Sequence, residues 1–287
     1  MGLYSTIRRA RRNFPIGFAL ALVLSLTVTG SAHLSSLQNT KLSVMQRSWS
    51  WMISQSARNL LNTSVQQSLN SAANYIISPS TTNALPPSSA QSVVTYKSFT
   101  DFQAALQSHS VPQGTQWILL DLEKWQFTPL AEQKDPLKYY SMASDYAKRY
   151  GYGLIAAPGL SLFPGSFDQK LSYIERSNFY GKVSKYASIV EIQSQSLEFN
   201  NSNFSRLVDT ALTQAKTTDQ LTSVFAGLST NPPAGVATAS QLLNLVNSAP
   251  IGLQGFWMNI PSPGAMCPNC NVQSPDVADA MFQALGM

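Results

Sequence analysis

The chain has 287 residues, 44% hydrophobic and only 11% charged, which is enough apolar material for one large core and far below the usual quarter of charged residues. Its net charge of +5 misstates the body: Arg8, Arg9, Arg11 and Arg12 precede every acid, and without them 19 − 4 = 15 basic residues face 14 acidic ones, a net of +1. A nearly neutral body leaves no electrostatic footprint for nucleic acid, and the two histidines, His33 and His109, leave almost nothing for Ser-His-Asp or His-based metal chemistry.

In chain order, residues 1–32 read as an export signal: a basic region, the apolar run "IGFALALVLSLTV" over residues 16–28, and the small-residue stretch "TGSA", with cleavage after Ala32. The alternative is an uncleaved signal anchor on the outer membrane face, although the run is short of a full span. Either way the body is expected outside the cytoplasm. Residues 33–73 read as a helical lead-in, because Leu42, Met45, Trp49, Met52, Leu60 and Leu61 recur at helical spacing. Residues 78–92 form a loop by composition, rich in Pro, Ser and Thr.

From residue 74 to 287 the chain alternates. Strand-like runs stand at "NYIIS" (74–78), "VVTYKS" (93–98), "WILLDLE" (117–123), "GLIAAPG" (153–159), "SIVEIQSQ" (188–195), "SVFAGLST" (223–230) and "LQGFWMNI" (253–260). Helix-like segments lie between them, such as residues 135–151, with Pro136 at a first helical position and Gly151 as the stop. This spacing predicts βαβ units and an α/β fold, a compact or slightly degenerate (β/α)8 TIM barrel. No Gly-rich phosphate loop follows any strand, so a dinucleotide domain is not expected and no cofactor or metal is implied.

In such a barrel the ligand site gathers at the C-terminal ends of the strands. The candidates there are Tyr96, Asp121, Glu123, Trp125, Gln193 and Gln195 with Glu191 one step deeper, Ser229, Asn231, Trp257 and Asn259. Amides and carboxylates bond sugar hydroxyls, and indole faces stack on a pyranose ring. Two acids at period two divide labour, Glu123 as general acid and Asp121 as its modulator, raising its pKa. Glu191 offers a nucleophile or base across the barrel. The plain structural alternative makes Asp121 and Glu123 a capping pair or partners of Lys124 or Lys134. In "TPLAEQKDP", Glu132 and Gln133 read as ordinary turn and helix-start chemistry.

The run "WILLDLE" resembles the end of the D-x-x-D-x-D-x-E strand of chitinase-like glycoside hydrolases, with Gln116 and Leu119 where that family has its two earlier aspartates. The resemblance implies Glu123 as the acid, Asp121 as its partner, and Trp257 as the sugar-stacking residue of the last strand. Residues 74–287 also resemble uncharacterised secreted bacterial proteins with a glycosidase-like barrel, on "DLEKWQFTPLAEQKDP", "APGLSL", "IQSQ" and "GFWMNIPSPGAMCPNC". The two cysteines, Cys267 and Cys270, stand too near the chain's end for a thioredoxin-like motif and read as a small disulfide pinning the last strand-to-helix loop. The expectation is therefore an exported barrel that acts on or binds a glycan or cell-wall polysaccharide. A non-catalytic binding module and a purely structural domain are its alternatives, with the membrane involved only through an uncleaved N-terminal anchor.

Overall fold

The computed structural model describes residues 47–83, 85, 88–264, 267–268, 270 and 272–287. The export signal or anchor over residues 1–32, and residues 33–46 of the expected lead-in, lie outside the described residues. Eight strands, β1 (Ser50–Ser54), β2 (Tyr75–Pro79), β3 (Gln91–Tyr96), β4 (Trp117–Leu122), β5 (Gly153–Pro158), β6 (Ile189–Ile192), β7 (Ser223–Ser229) and β8 (Gly255–Asn259), pair in parallel and in chain order into a closed barrel. The fold is a (β/α)8 TIM barrel. The helices are α1 (Gln55–Arg58), α2 (Thr63–Leu69), α3 (Phe99–Gln107), α4 (Leu130–Lys134), α5 (Pro136–Tyr150), α6 (Phe167–Ser177), α7 (Phe179–Ser184), α8 (Asn201–Thr218), α9 (Ala239–Asn247) and α10 (Pro275–Ala284). The Ser- and Pro-rich β2–β3 connection carries no helix among its described residues, which makes the barrel compact on that side. Among the described residues no helix is long and apolar enough to cross a membrane.

The seven strand-like runs of the sequence are β2 to β8. The eighth strand is the difference: β1 lies inside the segment expected to be helical, so the barrel starts near Ser50 and not at residue 74. Trp51, Met52 and Ile53 are all buried, since a strand with a layer on each side buries both faces and reads as a continuous apolar run. Trp49 and Met52 therefore matched a helical period by coincidence. β1 pairs with β2 on one side and β8 on the other, with Met52 opposite both Tyr75 and Trp257.

Strand alternation produces two apolar layers. Met52, Ile77, Val93, Leu119, Ile155, Ala157, Ile189 and Phe225 form a cluster contributed by strands alone, with Tyr75, Trp117 and Trp257 against it; this is the barrel interior. The alternate residues, among them Ile53, Val94, Leu120, Leu122, Val190 and Ile192, pack outward under the helices. The helices end as their sequences require: Asp135 caps α5 by accepting from the Lys138 amide at 3.3 Å, Pro136 takes the first turn, and Gly151 (φ +79°) closes it.

Trp51 is the keystone of the closing strand. It is 2% exposed, with Phe256 at 5.5 Å and Phe282 edge-on at 4.8 Å between ring centroids, and its amide donates to Asn74 Oδ1 at 2.9 Å. Replacing Trp51 by Ala should destabilise the fold by about 3–5 kcal/mol through lost burial and a cavity. A chain begun at Asn74 should lose its cooperative unfolding transition altogether; denaturant titration followed by circular dichroism measures both.

Candidate functional site

The inward register of β4 runs Trp117, Leu119, Asp121, so an apolar stack ends in an acid at the mouth. Asp121 is buried. It does not stand alone: Gln193, at the end of β6, reaches across the small side chain of Ala157 and donates from Nε2 to Asp121 Oδ1 at 2.5 Å and to the Ala157 carbonyl at 3.1 Å. Glu123 follows the last residue of β4 and turns towards β5. An added Cβ on Gly159 would lie 2.6 Å from Glu123 Cγ, so a side chain there would displace the carboxylate. Ser161 holds it, donating from Oγ to Glu123 Oε2 at 3.5 Å while accepting from the Lys124 amide at 2.9 Å. Among the described residues no ion pair links Asp121 or Glu123 to Lys124 or Lys134.

Above these acids opens a cavity of ≈ 510 Å³, within the range of small-ligand sites. Asp121, Glu123, Trp125, Gln193, Gln195, Ser229, Trp257 and Asn259 all line it, which brings together eight of the side chains singled out in the sequence. Gln195 lies over Gly227 of β7, where a Cβ would fall 2.2 Å from its amide carbon. Trp125 arrives differently from expectation. β4 has already ended, and a turn whose Trp125 amide donates to the Glu123 carbonyl at 3.0 Å sets the indole on the rim. Its Nε1 donates to Thr128 Oγ1 at 2.7 Å, its carbonyl accepts from Gln133 at 2.9 Å, and Phe127 stands edge-on at 5.3 Å. The Cys267–Cys270 disulfide is formed and borders the same cavity.

Three candidates fall elsewhere. Tyr96 belongs to the outward register with Val94 and is buried under the helices against Phe102 (5.3 Å), so it cannot touch a ligand at the mouth; Thr95 holds the inward place. Burial pushes its phenol up to about 12. Asn231 is fully buried and structural: it donates from Nδ2 to the Pro261 carbonyl at 2.8 Å and accepts from Thr230 Oγ1 at 2.8 Å, joining the end of β7 to the loop after β8. Glu191 is inward on β6 but lies beneath the cavity, wholly buried, with neither carboxylate oxygen hydrogen-bonded among the described residues. Glu132 and Gln133 are structural, but not through the local turn and helix-start chemistry expected of them. Glu132 is buried and accepts from the Phe99 amide (2.6 Å), the Thr100 amide (3.0 Å) and Thr100 Oγ1 (2.7 Å), capping α3 from a distant part of the chain.

Other lining residues had weaker signals. Ser54 ends β1 and Ser56 lies just beyond it, so missing that strand hid them. Pro232, Pro233, Ile260, Pro261 and Gln273 come from loops whose path no local pattern fixes. A buried acid off the strands also escaped notice: Glu198 accepts from the Ser196 amide (2.7 Å) and the Ser229 amide (2.6 Å), strapping the β6–α8 loop to β7. Burial raises it to about 7 against the pull of those amides.

Burial dominates the electrostatics of the cluster. Asp121 is held well above the usual carboxylate range by desolvation and then by Glu123, with the Gln193 hydrogen bond and Lys97 opposing. Glu123 is raised by desolvation against its hydrogen bonds to Ser161 and Gln193. Glu191 is raised well above its usual value by desolvation, then by Asp121 and Glu123. Carboxyls packed this closely titrate as a group and do not all ionise together. The arrangement therefore places carboxyls of raised proton affinity at a cavity wall, the direction of shift that favours a general acid.

No family model matches the chain, and no curated protein is similar to it. Among solved structures it is similar to a curdlan-specific exo-β-1,3-glucanase of Blastomyces gilchristii, of GH128 subgroup III, solved with glucose. That match has 10% identity and a TM-score of 0.42, and covers 78% of this chain and 94% of that one. An endo-β-1,3-glucanase of Sorangium cellulosum, of GH128 subgroup II, gives 11% identity and a TM-score of 0.46 over the same shares. The GH53 catalytic domain of Ignisphaera aggregans gives 13% identity and a TM-score of 0.34, covering 53% of this chain and 49% of that one. These are likenesses to glycoside hydrolase barrels; neither the strand register nor the site geometry above depends on them.

The titration of Glu191 has a definite sign. Its folded pKa lies above the ordinary 4.5, so the native state keeps a proton that the unfolded chain releases. Its stabilising contribution is complete below that value and is lost as pH rises through the folded one. Relative to Glu191→Gln, the wild type should lose unfolding free energy as pH rises above 4.5. Denaturant titrations at a series of pH values measure the difference, and parallel curves would contradict the assignment.

Proposed function

We propose that this is an exported glycoside-hydrolase-like barrel whose mouth cavity takes a saccharide. The observation that carries the reading is the meeting of Glu123, Asp121, Gln193, Gln195, Asn259, Trp125 and Trp257 around one cavity at the C-terminal ends of the strands. Neutral amides and hydroxyls give the hydrogen bonds that sugar hydroxyls need, and two indoles give apolar faces for a ring. Glu123, raised by burial, protonates the glycosidic oxygen as the bond to the leaving sugar breaks. Asp121, clamped by Gln193, lies beside Glu123 and is itself raised by it, so the two carboxyls do not ionise together. Both acids sit at the end of one strand and no other described acid lines the cavity. The chemistry that fits is the substrate-assisted form, in which a group of the sugar itself, such as a 2-acetamido oxygen, bonds to the anomeric carbon. This agrees with the likeness of "WILLDLE" to the chitinase-like strand. The disulfide supports an oxidising, extracytoplasmic setting.

The same observation supports a second reading: with no carboxylate facing Glu123 across the cavity among the described residues, the cleft binds a saccharide without turnover.

Glu123→Gln separates the two. For an enzyme, the variant keeps saccharide affinity and loses release of chromogenic 2-acetamido glycosides by roughly 10²- to 10⁴-fold. For a binding module, the wild type releases nothing from them and the variant binds as the wild type does. Gly227→Ala provides an independent check. The added methyl displaces the mobile end of Gln195 and not backbone, so the melting temperature should barely move, while saccharide affinity falls as far as it does in Gln195→Ala.

A further inference from the structure

Glu123, Gln193, Gln195 and Ser196 border two cavities, not one. The other, of ≈ 340 Å³, opens between the loop after β5 and the loop after β6, and its remaining lining is Leu160, Ser161, Phe167, Lys170 and Leu197. The two differ in charge. No basic residue is among the described lining of the main cavity, whereas the second has Lys170. This lysine, on α6, is half-buried, and among the described residues its ammonium has no hydrogen-bond or ion-pair partner. The nearest acid along α6, Asp168, is already engaged by Arg206 at 2.8 Å, and the Arg206 guanidinium stands 5.6 Å from the centre of the Phe167 ring. A lysine drawn into a cavity with its charge uncompensated is poised for an anion.

We propose that the second cavity is a subsite for a sugar residue carrying a carboxylate, paired with Lys170, on the far side of Glu123 from the sugar held in the main cavity. The inference rests on the saccharide reading above and names the class of glycan. Phe167 offers a face for the ring, and Ser161 and Gln195 offer hydrogen bonds to its hydroxyls. One ammonium balances one negative charge. A phosphate monoester, carrying close to two at neutral pH, calls for a second cation, and Lys170 is the one basic residue among the described lining.

The probes are hexuronic-acid oligosaccharides and muramic-acid-containing fragments, each compared with its own methyl ester, which keeps the shape and removes the charge. Binding is followed by tryptophan fluorescence, since Trp125 and Trp257 line the adjoining cavity. At low salt the free acid of at least one class should bind roughly tenfold more tightly than its ester. The preference should shrink at high salt, vanish in Lys170→Gln with ester binding unchanged, and persist in Lys170→Arg; the class that responds identifies the source of the carboxylate. Equal binding of acid and ester by the wild type, or an equal loss of both in Lys170→Gln, would overturn the subsite and leave the saccharide reading standing. Failure of every oligosaccharide, acidic or esterified, to bind would overturn both.

Discussion

The pairing of β1 with β8 is the constraint on which the rest of the molecule depends. Without it the parallel sheet has two open edges, and the apolar side chains of Met52, Ile77, Val93, Leu119, Ile155, Ile189 and Phe225 have no common centre to fill. The same pairing sets the site. Met52 stands opposite Trp257, which fixes the indole in the inward register, and two residues on it brings Ser54 to the cavity wall. Closure of the ring and construction of the mouth are thus one event in this chain.

A packed apolar interior has a second effect, on the acids placed in its upper layer. Asp121 and Glu191 share that interior with Leu119, Ala157 and Phe225, and no salt bridge compensates them among the described residues. An ionised carboxylate there lacks water, so protonation is the cheaper state. The barrel in this way converts hydrophobic packing into proton affinity, and Gln193 limits the effect by giving Asp121 one strong donor. Glu123, nearer the mouth and held by Ser161, is the more exposed of the two acids that line the cavity.

How much of this was legible in the sequence depends on the kind of signal. Strands flanked by helices and buried on both faces announce themselves as short apolar runs, so β2 to β8 and the acids ending β4 were readable. β1 was not, because its Trp-Met-Ile core sits in a Ser-rich segment whose apolar residues also fit a helical period. Register errors are more local. The place of Tyr96 at a strand's end points to the mouth, yet Val93 is the inward residue, and a step of one reverses the face. Asn231 and Glu191 failed for another reason: whether a polar side chain meets the cavity or the protein beneath it depends on loops and layers far away in the chain. Lys170 had no local signal at all, since only the path of the loop after β5 brings α6 to the wall shared with Glu123.

The grip of Glu132 on α3 extends beyond capping. One carboxylate from α4 holds two backbone amides at the start of α3, and Gln133 beside it holds the carbonyls of Trp125 and Thr128. The segments leaving β3 and β4 are therefore stitched into a single piece, with the indole of Trp125 fastened to it. Moving that ring would break a buried network, so this edge of the opening works as a fixed template and not as a lid. A ligand must conform to it.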